Sequence, residues 1–221
     1  MSDKELMTLV SVNVGLPKTV QWRDQSVTTG IFKSPVEGPV ALRKHNLDGD
    51  RQADLSVHGG PTKAVYVYFT QHYTYWREEL PDVEFGWGHF GENFTVKGMD
   101  EESIYIGDEF SVGTTRLVVT EPRMPCFKLS VRFGRADMPK RFLQSQRTGF
   151  YFGVVEEGEL QAGDALELLS KHPDGLSVAD VTRLYTTERG NIELLKKAIS
   201  VTALPDSWSG YFEHQLERLE T

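Results

Sequence analysis

The chain has 221 residues, 39% of them hydrophobic and 25% charged, and a formal net charge of −8. That length and composition suit one large domain, or one domain with a small appendage, and exclude global disorder. An acidic chain repels phosphate backbones, so no nucleic-acid polymer is an expected partner.

No apolar stretch reaches the roughly 18 residues that a membrane crossing needs. At the N-terminus Asp3, Lys4 and Glu5 precede only a short apolar run, which does not read as a secretory leader. A cytoplasmic location away from membranes is therefore expected. The single cysteine, Cys126, excludes an internal disulfide and a four-thiolate iron–sulfur cluster. Any redox chemistry then needs electrons from a separate donor.

In chain order, Leu9, Val10, Val12 and Val14 predict a first strand, and Ala64–Phe69 a second of β-branched and aromatic residues. Gln71 to Leu80 follows with helical spacing, placing Tyr73, Trp76 and Leu80 on one face. From residue 103 turns come close together. Ile104–Ile106, Glu109–Val112 and Arg116–Thr120 are strand candidates, separated by Gly107-Asp108 and Gly113. Gly149–Glu156 and Ala165–Leu169 add two more. Between them, Cys126–Gln146 is rich in helix formers, and Pro139 can start a helix. Many short strands with tight turns argue for a barrel or folded sheet over residues 1–170. His172-Pro173-Asp174-Gly175 then reads as a linker to a three-helix unit over 171–221. Ser177 and Asn191 are helix caps there, and a third helix after Pro205 aligns Trp208, Phe212, Leu216 and Leu219.

Three patterns mislead. Gly86-Trp87-Gly88-His89-Phe90-Gly91 fits a dinucleotide fingerprint, but an acidic loop precedes it and an extended segment follows, where a strand and a helix are required. Asp48, Asp50 and Asp54 resemble a calcium loop, yet Ala53 and Gly59 stand where glycine and glutamate are needed. Asn93-Phe94-Thr95 is a glycosylation sequon without a secretory route.

The segment Thr120-Glu121-Pro122-Arg123-Met124-Pro125-Cys126-Phe127-Lys128-Leu129 carries more chemistry. The cysteine follows a proline-stiffened approach and is flanked by Arg123 and Lys128. From Arg123 to Arg147 seven cations stand against Asp137 alone, a net +6 inside an acidic chain. Such a cluster points to a defined anionic ligand, and cations favour the thiolate that binds metals. A lone cysteine is more often a small buried hydrophobe, and a charge run is more often an exposed helix face. Neither reading explains why thiol and cations lie together. Two further segments suit anion contact. In Asp54–Lys63, Gly59-Gly60 lets backbone N–H groups approach a ligand, with His58 and Lys63 as added donors. In Phe90–Phe94, Asn93 can donate and accept.

In order and spacing these segments resemble the MOSC family, named for the molybdenum cofactor sulfurase C-terminal domain, and most closely its YiiM-like branch. The residues that carry the resemblance are Gln52-Ala53-Asp54-Leu55, His58-Gly59-Gly60, Lys63-Ala64-Val65-Tyr66 and Phe90-Gly91-Glu92-Asn93, then Ile106-Gly107-Asp108, Pro122–Leu129 and Arg147-Thr148-Gly149. The resemblance implies a mainly β fold with α, a MOSC-type β-barrel followed by a small three-helix domain. It implies molybdenum cofactor (molybdopterin) ligated at the metal by Cys126, and reduction of N-hydroxylated compounds, hydroxylaminopurines and amidoximes, to amines and amidines. On that footing Arg123, Lys128 and Arg132 are candidates for the cofactor's phosphate, with Gly59, Gly60 and Lys63 assisting. His58, Lys63 or Asn93 would orient substrate or move protons. A separate reductase would return the electrons. Arg51 departs from the family pattern, which leads to glycine there. The alternative is a cofactor or sulfur carrier that uses the same thiol without turnover.

Overall fold

The computed structural model describes residues 6–53, 59–173 and 175–220. Twelve strands and six helices are formed by these residues. The principal sheet has eight strands in the order β12-β8-β9-β10-β6-β7-β1-β4. Its members are β1 (Thr8–Val14), β4 (Ser34–Val36), β6 (Val65–Phe69), β7 (Phe94–Lys97), β8 (Glu109–Val112), β9 (Thr115–Pro122), β10 (Phe150–Glu156) and β12 (Leu166–Ser170). A hairpin of β2 (Lys18–Trp22) and β3 (Gln25–Thr29) and a short pair of β5 (Val40–Leu42) and β11 (Gly158–Leu160) stand apart from it.

The expected barrel is corrected to an open, mixed sheet. One edge of β1 pairs with β7, and the other edge is divided. Its second half pairs with β4 through Val12, Asn13 and Val14. Among the described residues its first half meets residues 163–166, by a single Thr8–Ala165 bridge and flanking bonds such as Leu9 N–H to the Asp164 carbonyl, 2.9 Å. A strand edge shared between two partners leaves no continuous ladder to close a barrel. The strand expected at Ile104–Ile106 is also corrected. It is a turn touching Ser177 by one bridge at Tyr105, and the Asp108 carboxylate accepts from the Tyr105 N–H at 3.1 Å.

All five residues of β6 are buried, and the two-residue period of a strand explains how. Val65, Val67 and Phe69 enter one core with Phe94, Phe110, Phe150 and Phe152. Tyr66 and Tyr68 enter a second with Tyr73, Trp76, Phe90, Leu129 and Phe142. Three helices cover the second face: α1 (Thr70–Glu79), α2 (Phe127–Phe133) and α3 (Met138–Ser145). α1 is the crossover that makes β6 and β7 the parallel pair of the sheet.

The C-terminal helices are α4 (Val178–Tyr185), α5 (Ile192–Ser200) and α6 (Asp206–Glu220). Ser177 caps α4 in a reciprocal box with Asp180, and the Asn191 side chain accepts from the Leu194 N–H at the start of α5. On α6, Trp208 and Phe212 are buried, whereas Leu219 is exposed. No described helix is long and apolar enough to cross a membrane.

Candidate functional site

The end of β9, the neighbouring β10 and the loops before β4 and β6 enclose a cleft. Its empty space is about 610 Å³, solvent at the mouth included. Strand register sets its floor: Tyr151 of β10 lies opposite Tyr66 of β6 on one side and Glu121 of β9 on the other. Cys126 lies past the end of β9, at the extended residue that precedes α2, with φ −123° and ψ 172°. It is half-buried and lines the cleft. Its carbonyl accepts from the Leu129 N–H at 3.0 Å, which fixes the start of the helix behind it.

Among the described residues, five cations line this cleft and no carboxylate does: Lys33, Arg51, Lys63, Arg123 and Lys128. They come from four separated stretches of chain. Arg123 is the most telling. It is buried at 6% exposure, and its guanidinium lies 4.9 Å from the ring centres of both Tyr66 and Phe142. Among the described residues it has no carboxylate partner, and its Nη1 has no hydrogen-bond acceptor. Burial works against its charge, but the phenols of Tyr66 and Tyr151 and the Cys126 thiol hold its proton above the ordinary value. The guanidinium donates one hydrogen bond to the Tyr151 hydroxyl, but burying its Nη1 without an acceptor costs free energy, so that atom suits an anion.

Tyr151 is pushed up to about 12 by burial, with Arg123 opposing, and remains a neutral phenol. Tyr66 is also held well above the usual range by burial, and its hydroxyl donates to the Thr148 carbonyl at 3.0 Å. Burial lowers Lys33, while an ion pair with Asp50 opposes that shift. The Asp50 carboxylate also accepts from the Gly15 N–H and the Asn93 side chain, each at 2.9 Å. At Gly30 any Cβ would meet the Arg51 carbonyl at 2.4 Å, so two backbone segments press together to form one wall.

The residues expected from sequence divide into three groups. Cys126, Arg123, Lys128, Gly59, Lys63 and Asn93 are brought together on the cleft. Asn93 is fully engaged as a donor: its Nδ2 bonds to the Asn13 carbonyl (3.2 Å) and to Asp50, and its Oδ1 accepts from the Tyr66 N–H (3.1 Å). Arg132 and Gly60 are not among the lining residues. Arg132 donates instead to the His89 carbonyl (3.1 Å) and bonds to His89 Nδ1 (3.3 Å). Gly60 accepts from the Lys63 N–H (3.1 Å) and shapes the approach to β6. His58 lies outside the described residues.

Most of the basic cluster faces elsewhere. Arg135 pairs with Asp137, Arg141 with Glu79, and Arg147 stacks on Tyr75. Sequence reasoning missed Lys33 altogether. Its place depends on a pairing with Asp50 seventeen positions away, for which Gly-Ile-Phe-Lys carries no local signal. The glycine segment 86–91 leads into β7 and wraps the buried Glu92 carboxylate. That carboxylate accepts from the N–H groups of Gly88 (2.8 Å) and Phe90 (3.1 Å), from Thr95 Oγ1 (2.9 Å) and from the Tyr73 hydroxyl.

Residues 54–167 match the family model of the MOSC domain, and residues 176–219 that of the YiiM-like, 3-alpha helix domain. The uncharacterized protein YflK of Bacillus subtilis (strain 168) is 40% identical over 216 residues, 98% of this chain and 97% of that one. A protein of Gibberella moniliformis named "Reductase" is 35% identical over 182 residues, 81% of this chain but 32% of its own length. Among solved structures, YiiM from Geobacillus stearothermophilus superposes with a TM-score of 0.79 at 36% identity, covering 95% of this chain and 99% of that one.

Proposed function

We propose that this chain, which belongs to the MOSC family and carries its YiiM-like three-helix domain, is a molybdenum-cofactor-dependent reductase of N-hydroxylated compounds such as hydroxylaminopurines and amidoximes. The observation that carries this reading is the buried Arg123, whose Nη1 has no acceptor among the described residues, in a cationic cleft whose wall also bears the only cysteine. A ligand that joins a phosphate to a soft, thiophilic metal matches both halves of that donor set.

In this reading the Cys126 thiolate ligates the metal. Arg123 and Lys128 hold the phosphate, with Lys63 and the Gly59 backbone beside them. Lys33 and Arg51 complete the cationic wall. Gly30, which brings the Arg51 backbone close, shapes that wall. When bound, the cofactor supplies the two electrons that, with two protons, convert R–NHOH to R–NH2 and water. The neutral Tyr151 phenol and Lys63 line the cleft with Cys126 and serve as proton donors in this reading, and Asn93 keeps the Asp50–Lys33 pair and β6 in place. His58 is kept as a candidate for proton delivery, whereas Arg132, bonded to His89 and off the cleft, is not assigned to the phosphate. A chain with one cysteine binds no four-thiolate cluster, so the electrons come from a separate reductase.

Molybdenum and pterin content in wild type and Cys126→Ser, both purified from a cofactor-producing host, tests the assignment. Near-stoichiometric molybdenum in wild type and its loss in the variant are expected. Metal retained in full by Cys126→Ser, or absent from wild type even after reconstitution, overturns it. Loaded wild type that reduces a benzamidoxime with an artificial donor is a reductase; loaded protein that does not is a carrier.

A further inference from the structure

A second cavity meets the cleft at Cys126. Its volume is about 350 Å³, within the roughly 300–1,000 Å³ range of small-molecule sites. Cys126, Lys63 and Tyr151 line both spaces. The two differ in chemistry. The second is walled by Tyr185 of α4 and by Trp208 and Tyr211 of α6, with Met124 and two prolines opposite. Its charged members, Lys63 and Glu121, form a 3.5 Å ion pair with each other. Glu121 is buried and also accepts from Trp208 Nε1 at 2.9 Å and from the Thr62 hydroxyl at 2.9 Å, so its oxygens are occupied.

We infer that this second cavity holds the body of the reducible substrate, and that the body is a flat, uncharged aromatic or heteroaromatic ring. The inference rests on the reductase reading for what is reduced, but its own ground is the contrast between the two spaces. A phosphate-bearing group belongs in the cleft, where Arg51, Arg123 and Lys128 stand beside the paired Lys33 and the shared Lys63, and gains nothing among rings where the one cation is paired with Glu121. A flat apolar ring has the opposite preference, because aromatic walls offer it stacking and edge contacts. The walls are prearranged: the centroids of Tyr185 and Tyr211 are 5.4 Å apart, and those of Tyr185 and Trp208 are 5.7 Å apart. The Glu121–Trp208 bond fixes α6 against β9, so the ring wall stands at a set distance from the thiol. The three-helix unit thereby selects the substrate, while the sheet unit binds the cofactor.

The test is an optical titration of the purified holoprotein with 2-aminopurine, a planar amine of the product type whose fluorescence falls on stacking. Saturable quenching is expected. Tyr211→Ala should weaken it about tenfold or more, since stacking contributes about 1–3 kcal/mol per base and 1.4 kcal/mol is a factor of ten. Tyr211→Phe should leave it unchanged. Ser207→Trp, a change at an exposed position on the rim, fills the cavity without disturbing the core and should also abolish quenching. Acetamidine, which has no ring, should not displace the probe. Quenching that survives both Tyr211→Ala and Ser207→Trp, displacement by acetamidine, or no saturable binding to wild type would each overturn the inference. Molybdenum content is measured on the same samples and should be equal in wild type, Tyr211→Ala and Ser207→Trp. Loss of metal from Cys126→Ser tests the cofactor reading separately, so the two can fail independently.

Discussion

At the residue scale, the buried charges of the cleft wall are unequal. Arg123 has no carboxylate among the described residues, whereas Lys33 is neutralised by Asp50. Asp50 in turn receives a backbone N–H from Gly15 and a side-chain N–H from Asn93. Removing one member of such a pair leaves the other charged, desolvated and partly unsatisfied. Lys33→Met is therefore expected to destabilise the fold by about 3–5 kcal/mol, the usual cost of breaking a buried pair from one side. The double change Lys33→Met with Asp50→Asn should recover much of that loss. Urea unfolding of both variants checks this, and a single variant as stable as wild type would show that the pair contributes nothing to the wall.

At the element scale, the glycine-rich segment 86–91 is a structural loop organised by two residues within and beside it. Glu92 gathers its backbone N–H groups, and His89 anchors it to α2 through Arg132. Burial first, and then the Arg132 charge, lower His89 from 6.5 to about 4. The unfolded chain thus takes up the proton first as pH falls. The stability carried by neutral His89 is whole above about pH 6.5 and is lost progressively toward pH 4. At 1.36 kcal/mol per unit the span is about 3 kcal/mol at most. His89→Asn keeps an acceptor for Arg132 but cannot titrate. Wild type should lose more stability than this variant between pH 7 and pH 5, as read by urea midpoints. Equal losses would remove His89 as the cause.

At the scale of the whole molecule, the C-terminal helices share a core with the sheet. Val178, Val181, Leu184, Trp208 and Phe212 pack in one cluster with Val119, Ile106 and Phe110. The backbone crosses the junction as well: Ile106 N–H donates to Leu176 (2.8 Å), Val178 N–H to Ile104 (3.0 Å) and Ala179 N–H to Glu101 (3.0 Å). A fragment of residues 1–172 would expose that apolar face and leave the Ile106 donor without its acceptor. We expect it to aggregate or to lack near-ultraviolet dichroism. A monodisperse fragment with native dichroism would show two independently folding units.

Much of this molecule was legible in the sequence because the signals are local. Alternating apolar residues marked β1, β8, β9, β10 and β12 within a residue or two, and helical spacing marked α1 with Tyr73, Trp76 and Leu80 buried together. Ser177 and Asn191 cap their helices as their chemistry dictates. Cys126 stands between cations on the chain and lines the cleft together with two of them, Arg123 and Lys128. What the tertiary structure decided depends on partners distant along the chain. Strand order and the divided edge of β1 make the sheet open. Arg132, three residues past Leu129, follows α2 to His89, while Lys33 from before β4 reaches the cleft. The second cavity lies between α6 and the end of β9, which are joined by the Trp208–Glu121 bond across 87 positions. Sterics and capping act over a few residues and can be read in order. Edge pairing, charge neutralisation and cavity walls join segments whose proximity no local pattern encodes.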